Sequence, residues 1–191
     1  MKTLPIAGGA LILAATLSAC SSTGSPDSAR QSGMEVARSH LGQPVARTQI
    51  SIEAFDAADR NRPEFASYAA AVGRQLTRLG WTVVPAGGTE QVALINVEQG
   101  SREAITALSA ARIGRGIAPG AAEGSSAGVI ATLLEVAIRR RSDGSVFWEG
   151  RAVGEARTGS ADASRMTAVD KLADALFRDF PGESGRTIRV R

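Results

Sequence analysis

The pattern of apolar and polar positions predicts two amphipathic helices in this chain of 191 residues. In each helix, apolar side chains recur every three or four residues and therefore share one face. The first stripe ends before Gly80, a common C-terminal helix cap, and the second ends before Pro181. The stripes are Phe65, Tyr68, Ala69, Val72, Leu76 and Leu79 in the first helix, and Met166, Val169, Leu172, Ala173, Leu176, Phe177 and Phe180 in the last.

Several other segments show the alternation of apolar and polar residues that is typical of β-strands. Short runs at 49–53, 81–84, 91–98 and 187–191 predict single strands, and residues 130–157 predict a long hairpin. Small residues in the second arm of the hairpin indicate that a helix packs closely over it. We therefore predict one α+β domain, in which a mixed, mostly antiparallel sheet of five or six strands carries two helices packed on one face.

The N-terminus has the parts of an export signal. Lys2 supplies a positive charge, and an apolar run covers 4–16, which is too short for the roughly 20 residues that span a bilayer. Residues 17–20 (LSAC) resemble the cleavage box of bacterial lipoproteins, where the signal is cut before the cysteine and the cysteine carries acyl chains such as palmitate. A plain secretory signal, with Cys20 as a free thiol, is the alternative.

These features divide the chain into three parts. We expect a signal peptide at 1–19, then the lipidated Cys20 with a flexible tether to residue 47, and the α+β domain at 48–191. A Gly-rich insert lies at about 112–129. Ser21 follows the lipidated position, and under the enterobacterial sorting rule it favours the outer membrane over the inner one. We therefore expect a lipid-anchored protein at the outer membrane that faces the periplasm.

Several segments together resemble the bacterial lipoproteins known as domain-of-unknown-function group 4136. The most specific are the WEGRA run at 148–152 and the FPGESG run at 180–185. The YAAA run at 68–71, the LGWTVV run at 79–84 and the VALINV run at 92–97 add to them. The resemblance extends from about residue 48 to the C-terminus. It implies a small α/β lipoprotein domain and supplies no activity, catalytic residue or cofactor.

The charged residues of the sequence suggest a binding role more readily than a catalytic one. The formal net charge is only +3 at pH 7, and no concentrated basic face is apparent, so we expect no nucleic-acid partner. Two groups of arginines could meet phosphates of lipids or carboxylates of peptidoglycan through forked hydrogen bonds, although charged strand edges have the same appearance. These candidate contacts are Arg139, Arg140, Arg141, Arg186, Arg189 and Arg191.

The sequence contains few residues that could form a catalytic or metal-binding site. Residues 124–128 (GSSAG) match a nucleophile elbow, but the one histidine, His40, precedes them, and no strand–turn–helix context surrounds them. One histidine and one cysteine leave no metal cluster. We therefore expect no enzyme, no metal and no cofactor.

The function that remains is a non-catalytic interaction or assembly module of the cell envelope. Its expected partners are the membrane, reached through the lipid on Cys20, and other envelope proteins or peptidoglycan. The alternative is a periplasmic carrier or sensor that binds a hydrophobic or anionic ligand between the sheet and the helices.

The lipid anchor generates the first testable prediction. The substitution Cys20→Ser removes the acceptor for the acyl chains, so the protein should leave the membrane fraction and lose labelling by a fatty-acid probe. Fractionation and metabolic labelling measure both effects, with Ser22→Ala as the control that keeps them. Unchanged membrane retention of the Cys20→Ser protein would contradict the lipoprotein assignment.

Overall fold

The computed structural model describes residues 33–111 and 128–190. The expected signal peptide, Cys20, residues 112–127 of the Gly-rich insert and Arg191 lie outside the described residues. Within the described part, the chain forms seven strands and three α-helices. The strands are β1 (Met34–His40), β2 (Gln49–Ala54), β3 (Thr82–Val84), β4 (Gln91–Gly100), β5 (Val129–Arg140), β6 (Val146–Arg157) and β7 (Thr187–Val190). The helices are α1 (Phe65–Arg78), α2 (Arg102–Ala111) and α3 (Arg165–Phe177).

All seven described strands form a single mixed sheet in the order β3-β2-β4-β5-β6-β1-β7. Strand β2 runs parallel to both β3 and β4, and the other neighbouring strands are antiparallel. The predicted hairpin is the pair β5–β6, whose arms of 12 residues each form the middle of the sheet. An α+β domain built on one mixed sheet is therefore present.

The expected counts of strands and helices were wrong. The described sheet has seven strands where five or six were expected, and residues 33–111 and 128–190 contain three α-helices where two were expected. One uncounted strand is β1, which lies in the range assigned to the tether and pairs with β6 and β7. Its inward positions include Arg38, so the apolar alternation that marks a half-buried strand is interrupted.

The helices cover the two faces of the sheet unequally. Helices α1 and α3 pack on one face, over a core centred on Trp148, Leu134 and Ile138. Helix α2 is the additional helix, and it packs on the opposite face, where Ile105 contacts a smaller apolar cluster. None of the described helices is long and apolar enough to cross a bilayer.

Close approach of α3 to the sheet depends on a glycine in β6. A Cβ atom at Gly150 would lie 2.3 Å from the ring of Trp148 and 2.8 Å from the Cδ1 atom of Leu176. The Trp148 ring therefore occupies the space that a side chain at position 150 would need. Phe177 stacks on the same ring, with centroids 5.2 Å apart, so α3 is held against β6 by aromatic packing.

Gly150 generates the second prediction. The substitution Gly150→Ala forces the Trp148 ring or Leu176 to move, and we expect it to lower the free energy of unfolding by about 1–3 kcal/mol. Urea unfolding followed by circular dichroism measures the change. Gly88→Ala is the matched control, because a Cβ there meets nothing within 4 Å and its effect should stay within about 0.5 kcal/mol. Equal stability of the two variants would contradict the packing argument.

Candidate functional site

Features that suit a binding surface lie together at one end of the sheet. The turn between β5 and β6 lies there, and so does the end of β1, because His40 pairs with Trp148 near the start of β6. The loop 41–46 follows β1 and contacts the same region. We call this region the hairpin end. The described chain begins at Gly33, next to the opposite end of β1.

Two open clefts lie side by side at the hairpin end. The large cleft has a volume of about 380 Å³ and the small cleft about 280 Å³. Leu41 and Phe147 line both clefts, so these two side chains form a ridge between them. The other residues of the large cleft are Ser39, His40, Phe55, Ala137, Arg139, Val146 and Glu149. The other residues of the small cleft are Gln43, Pro44, Val45, Ala46, Glu90, Gln91 and Arg140.

Apolar surface is concentrated around the clefts. Leu41 is 75% exposed, Val146 is 37% exposed and Phe55 is 36% exposed. Single exposed apolar residues are ordinary on protein surfaces, whereas a group of them beside clefts is a feature of interaction sites. The hairpin end is therefore our candidate functional site.

Arg141 holds the turn of the hairpin against the rest of the sheet. Its Nε donates to the carbonyl oxygen of Thr89 at 2.8 Å, and its Nη2 donates to Ser51 Oγ at 3.0 Å and to Glu53 Oε1 at 2.5 Å. Glu53 Oε1 also accepts from the backbone N–H of Gly87 at 3.1 Å. The hydrogen bond from Arg141 is the main reason that the pKa of Glu53 is lowered.

The turn itself is fixed by a second arginine. Arg140 Nη1 donates to Asp143 Oδ2 at 2.8 Å, and its guanidinium group lies 5.1 Å from the centroid of the Phe147 ring. The backbone N–H of Ser145 donates to Asp143 Oδ1 at 2.9 Å. Hydrogen bonds from Ser145 and then from Arg140 lower the pKa of Asp143 to about 2. Asp143 therefore stays ionised, and able to accept both hydrogen bonds, across the physiological pH range.

The loop 41–46 is held at both of its ends. The backbone N–H of Gly42 donates to Nδ1 of His40 at 3.1 Å, so that nitrogen is unprotonated and Nε2 donates to the carbonyl oxygen of Gly182 at 2.9 Å. At the other end, Gln91 Nε2 donates to the carbonyl oxygen of Ala46 at 2.8 Å. His40 therefore positions the loop and the C-terminal segment.

The FPGESG run at 180–185 packs against the end of β1 and the start of β6. The backbone N–H of His40 donates to Ser184 Oγ at 3.0 Å, and the backbone N–H of Gly185 donates to the carbonyl oxygen of Arg38 at 2.8 Å. Trp148 Nε1 donates to the carbonyl oxygen of Pro181 at 2.9 Å. These contacts give the run a structural role beside the clefts.

The structure separates the six candidate arginines. Arg139 lines the large cleft, Arg140 lines the small cleft, and Arg141 is engaged with Glu53. Arg186 pairs with Glu183 at 2.8 Å, Arg189 lies 3.5 Å from Glu35, and neither of them lines a cleft. Arg191 lies outside the described residues, as does Cys20.

Sequence reasoning missed the apolar residues of the site. Leu41 lies in the expected tether, Phe55 follows β2, and Val146 begins β6. Each is isolated in the sequence, so no local pattern groups them. The one available signal was an apolar residue placed directly at a strand end, where a polar turn residue is more common.

The described cavity between α1 and the sheet does not suit a carrier. Its volume is about 20 Å³, enough for a single water molecule and far below the several hundred cubic ångströms of a ligand pocket. Tyr68 lines it, and the Tyr68 hydroxyl has no hydrogen-bond partner among the described residues. Within the same part of the chain, no group of three or more histidine, cysteine or acidic residues is placed to hold a metal ion.

Comparisons with known proteins give limited matches. No family model matches the chain, so the resemblance to domain-of-unknown-function group 4136 rests on the quoted residues alone. An uncharacterized protein of Zymomonas mobilis is 44% identical over 62 residues. That match covers 32% of this chain and only 23% of the length of the curated relative.

Solved structures superpose only loosely on this chain. A PelC dodecamer subunit from Paraburkholderia phytofirmans has 15% identity and a TM-score of 0.42, over 73% of this chain and 93% of that one. A PDZ domain protein from Parabacteroides distasonis has 11% identity and a TM-score of 0.46, over 85% and 40%. Lipoprotein GNA1162 from Neisseria meningitidis has 13% identity and a TM-score of 0.35, over 66% and 94%. Since these TM-scores are below 0.5, they do not bear on the function of this chain.

The Glu53–Arg141 contact generates the third prediction. Because the folded-state pKa of Glu53 lies below its ordinary value of 4.5, its contribution to stability is present above pH 4.5 and is lost as the pH falls through the folded-state value. We expect Glu53→Gln to lower the free energy of unfolding by about 1–2 kcal/mol at pH 7. The gap between wild type and variant should shrink as the pH drops from 5 towards 3.

Urea unfolding at several pH values measures this gap. Glu64→Gln is the control, because Glu64 is exposed and its side chain makes no capping hydrogen bond at the start of α1. A gap between wild type and Glu53→Gln that stays constant with pH would contradict the assignment of this stability to the ionised Glu53–Arg141 pair.

Proposed function

We propose that this protein is an envelope lipoprotein whose domain is a non-catalytic interaction module, with the hairpin end as its binding surface. The lipoprotein assignment is supported by the LSAC box at 17–20 and by the resemblance to domain-of-unknown-function group 4136. Ser21 favours attachment to the outer membrane, with the domain facing the periplasm.

The single observation that carries the proposal is the group of exposed apolar side chains on a firmly held end of the domain. Leu41, Phe55 and Val146 line the large cleft, and Leu41 also lines the small one. Hydrogen bonds of Arg141 and His40 hold the nearby backbone. Binding surfaces gain affinity when apolar anchors are arranged before the partner arrives, because less conformational entropy is lost on binding.

The place where the described chain begins fits this role. Strand β1 has 7 residues and spans about 23 Å from the end near Gly33 to the hairpin end. The 13 residue-to-residue steps from Cys20 to Gly33 can span at most about 45 Å. A lipid on Cys20 would therefore be connected to the domain at the end of β1 opposite the clefts, and this arrangement allows the clefts to face a partner in the periplasm.

Site-specific photocrosslinking tests the proposal in living cells. A photoreactive phenylalanine analogue at Leu41 or Val146 should give discrete, mass-identifiable adducts, whereas the same analogue at Leu108 or Val83 should not. The control positions are also exposed and apolar, with Val83 exposed to the same 37% as Val146, but they line neither cleft. Equal adduct formation at all four positions, or none at Leu41 and Val146, would contradict the assignment of the hairpin end as the binding surface.

A further inference from the structure

We infer that the two clefts bind an extended segment of a partner protein, with one apolar side chain of that segment on each side of the ridge formed by Leu41 and Phe147. This inference rests on the proposed function and names the kind of partner that the hairpin end fits. Four observations carry it: the charges of the clefts, their shape, their polar groups and their rigidity.

The charges of the clefts disfavour a purely anionic partner. The large cleft contains Arg139 together with Glu149, and the small cleft contains Arg140 together with Glu90. A membrane rich in anionic lipids or a nucleic-acid backbone would meet a carboxylate in each cleft. A polypeptide carries both signs of charge and neutral amides, so it can complement both clefts at once.

The shape of the clefts favours an extended segment. Their volumes of about 380 Å³ and 280 Å³ lie near the lower end of the range for small-molecule pockets, roughly 300–1,000 Å³. The clefts share the Leu41–Phe147 ridge as a common wall. In an extended chain, side chains two residues apart point the same way and lie about 6.6 Å from each other, enough to straddle one side chain.

The polar groups that line the clefts suit a peptide backbone. Ser39 lines the large cleft and the side-chain amide of Gln43 lines the small cleft, and both groups are neutral. Hydroxyl and amide groups pair with the N–H and C=O groups of an extended chain, while apolar anchors supply the affinity. Such a lining fits a peptide better than it fits an acyl chain, which offers no hydrogen bonds.

Rigidity completes the argument. The loop 41–46 is fixed through Gly42 and Ala46, and the turn of the hairpin is fixed through Arg141. The backbone on both sides of the ridge is therefore held before a partner binds. A preformed surface can select a short segment, because little ordering entropy opposes the few contacts that such a segment makes.

The experiment uses the whole lipidated chain in mild detergent and a phage-displayed library of random 12-residue peptides. Selected peptides should share two apolar residues separated by one position. A fluorescent copy of such a peptide should bind the wild-type chain, as measured by anisotropy. Leu41→Glu and Val146→Glu should each weaken binding at least tenfold, whereas Val83→Glu should leave it within twofold.

The variants keep the test specific to the surface. Leu41 is 75% exposed, so its substitution changes the ridge without disturbing the core, and Val83 matches Val146 in residue type and exposure. Circular dichroism and urea midpoints verify folding of each variant. Peptides without the shared spacing, or equal binding to wild type and Leu41→Glu, would overturn the inference. So would binding of anionic phospholipid vesicles that is lost on Leu41→Glu.

The photocrosslinks separate the two possible failures. If Leu41 and Val146 crosslink to a protein in cells while no peptide binds, the hairpin end is the binding surface and the inference of an extended segment is wrong. If the crosslinks also fail, the proposed function fails with it.

Discussion

A buried arginine joins the first strand of the sheet to helix α3, 138 residues further along the chain, close to the hairpin end. Arg38 of β1 is only 3% exposed, and its guanidinium group donates to the carbonyl oxygens of Leu176 and Ala175 at 2.8 and 2.9 Å. These carbonyls lie at the C-terminal end of α3, where helix carbonyls lack partners and where the helix dipole favours a positive charge. Burial lowers the pKa of Arg38, and the negative charge of Asp179 opposes that shift. A Cβ at Gly182 would lie 2.5 Å from Arg38, so the C-terminal segment approaches this closely because position 182 is glycine.

The clefts depend on that contact through the end of β1. Two residues beyond Arg38, the ring and backbone of His40 hold the C-terminal segment, and Leu41 follows at the ridge. The three adjacent arginines of β5 and its turn then take different roles. Arg139 lines the large cleft, Arg140 packs over Phe147, and Arg141 bonds to Glu53. In this run of like charges, Arg139 and Arg140 therefore line the clefts, Arg140 also fixes the turn, and Arg141 is structural. The result is a rigid support under exposed apolar side chains, which is the arrangement that an interaction module needs.

The candidate site was harder to predict than the fold for a physical reason. Helices α1 and α3 and the β5–β6 hairpin arise from periodicity within short stretches, and the periodicity reports which face is buried. Strand β1 was not predicted because a charged residue, Arg38, occupies one of its inward positions. The buried charge is tolerated because two carbonyl groups of α3 accept hydrogen bonds from it. The ridge was not predicted because Leu41 and Phe147 are 106 residues apart in the sequence. They line the same clefts only once β1 pairs with β6.

The sequence by itself determined the α+β composition, the two long amphipathic helices, the central hairpin and the tight packing at Gly150. Each of these depends on residues close together in the chain or on the size of one side chain. Tertiary structure alone decided that residues 34–40 complete the sheet and that Arg141 is structural while Arg139 lines a cleft. It also decided that three isolated apolar residues share one surface. Those outcomes depend on partners that lie dozens to more than a hundred residues away, and local periodicity carries no information about such partners.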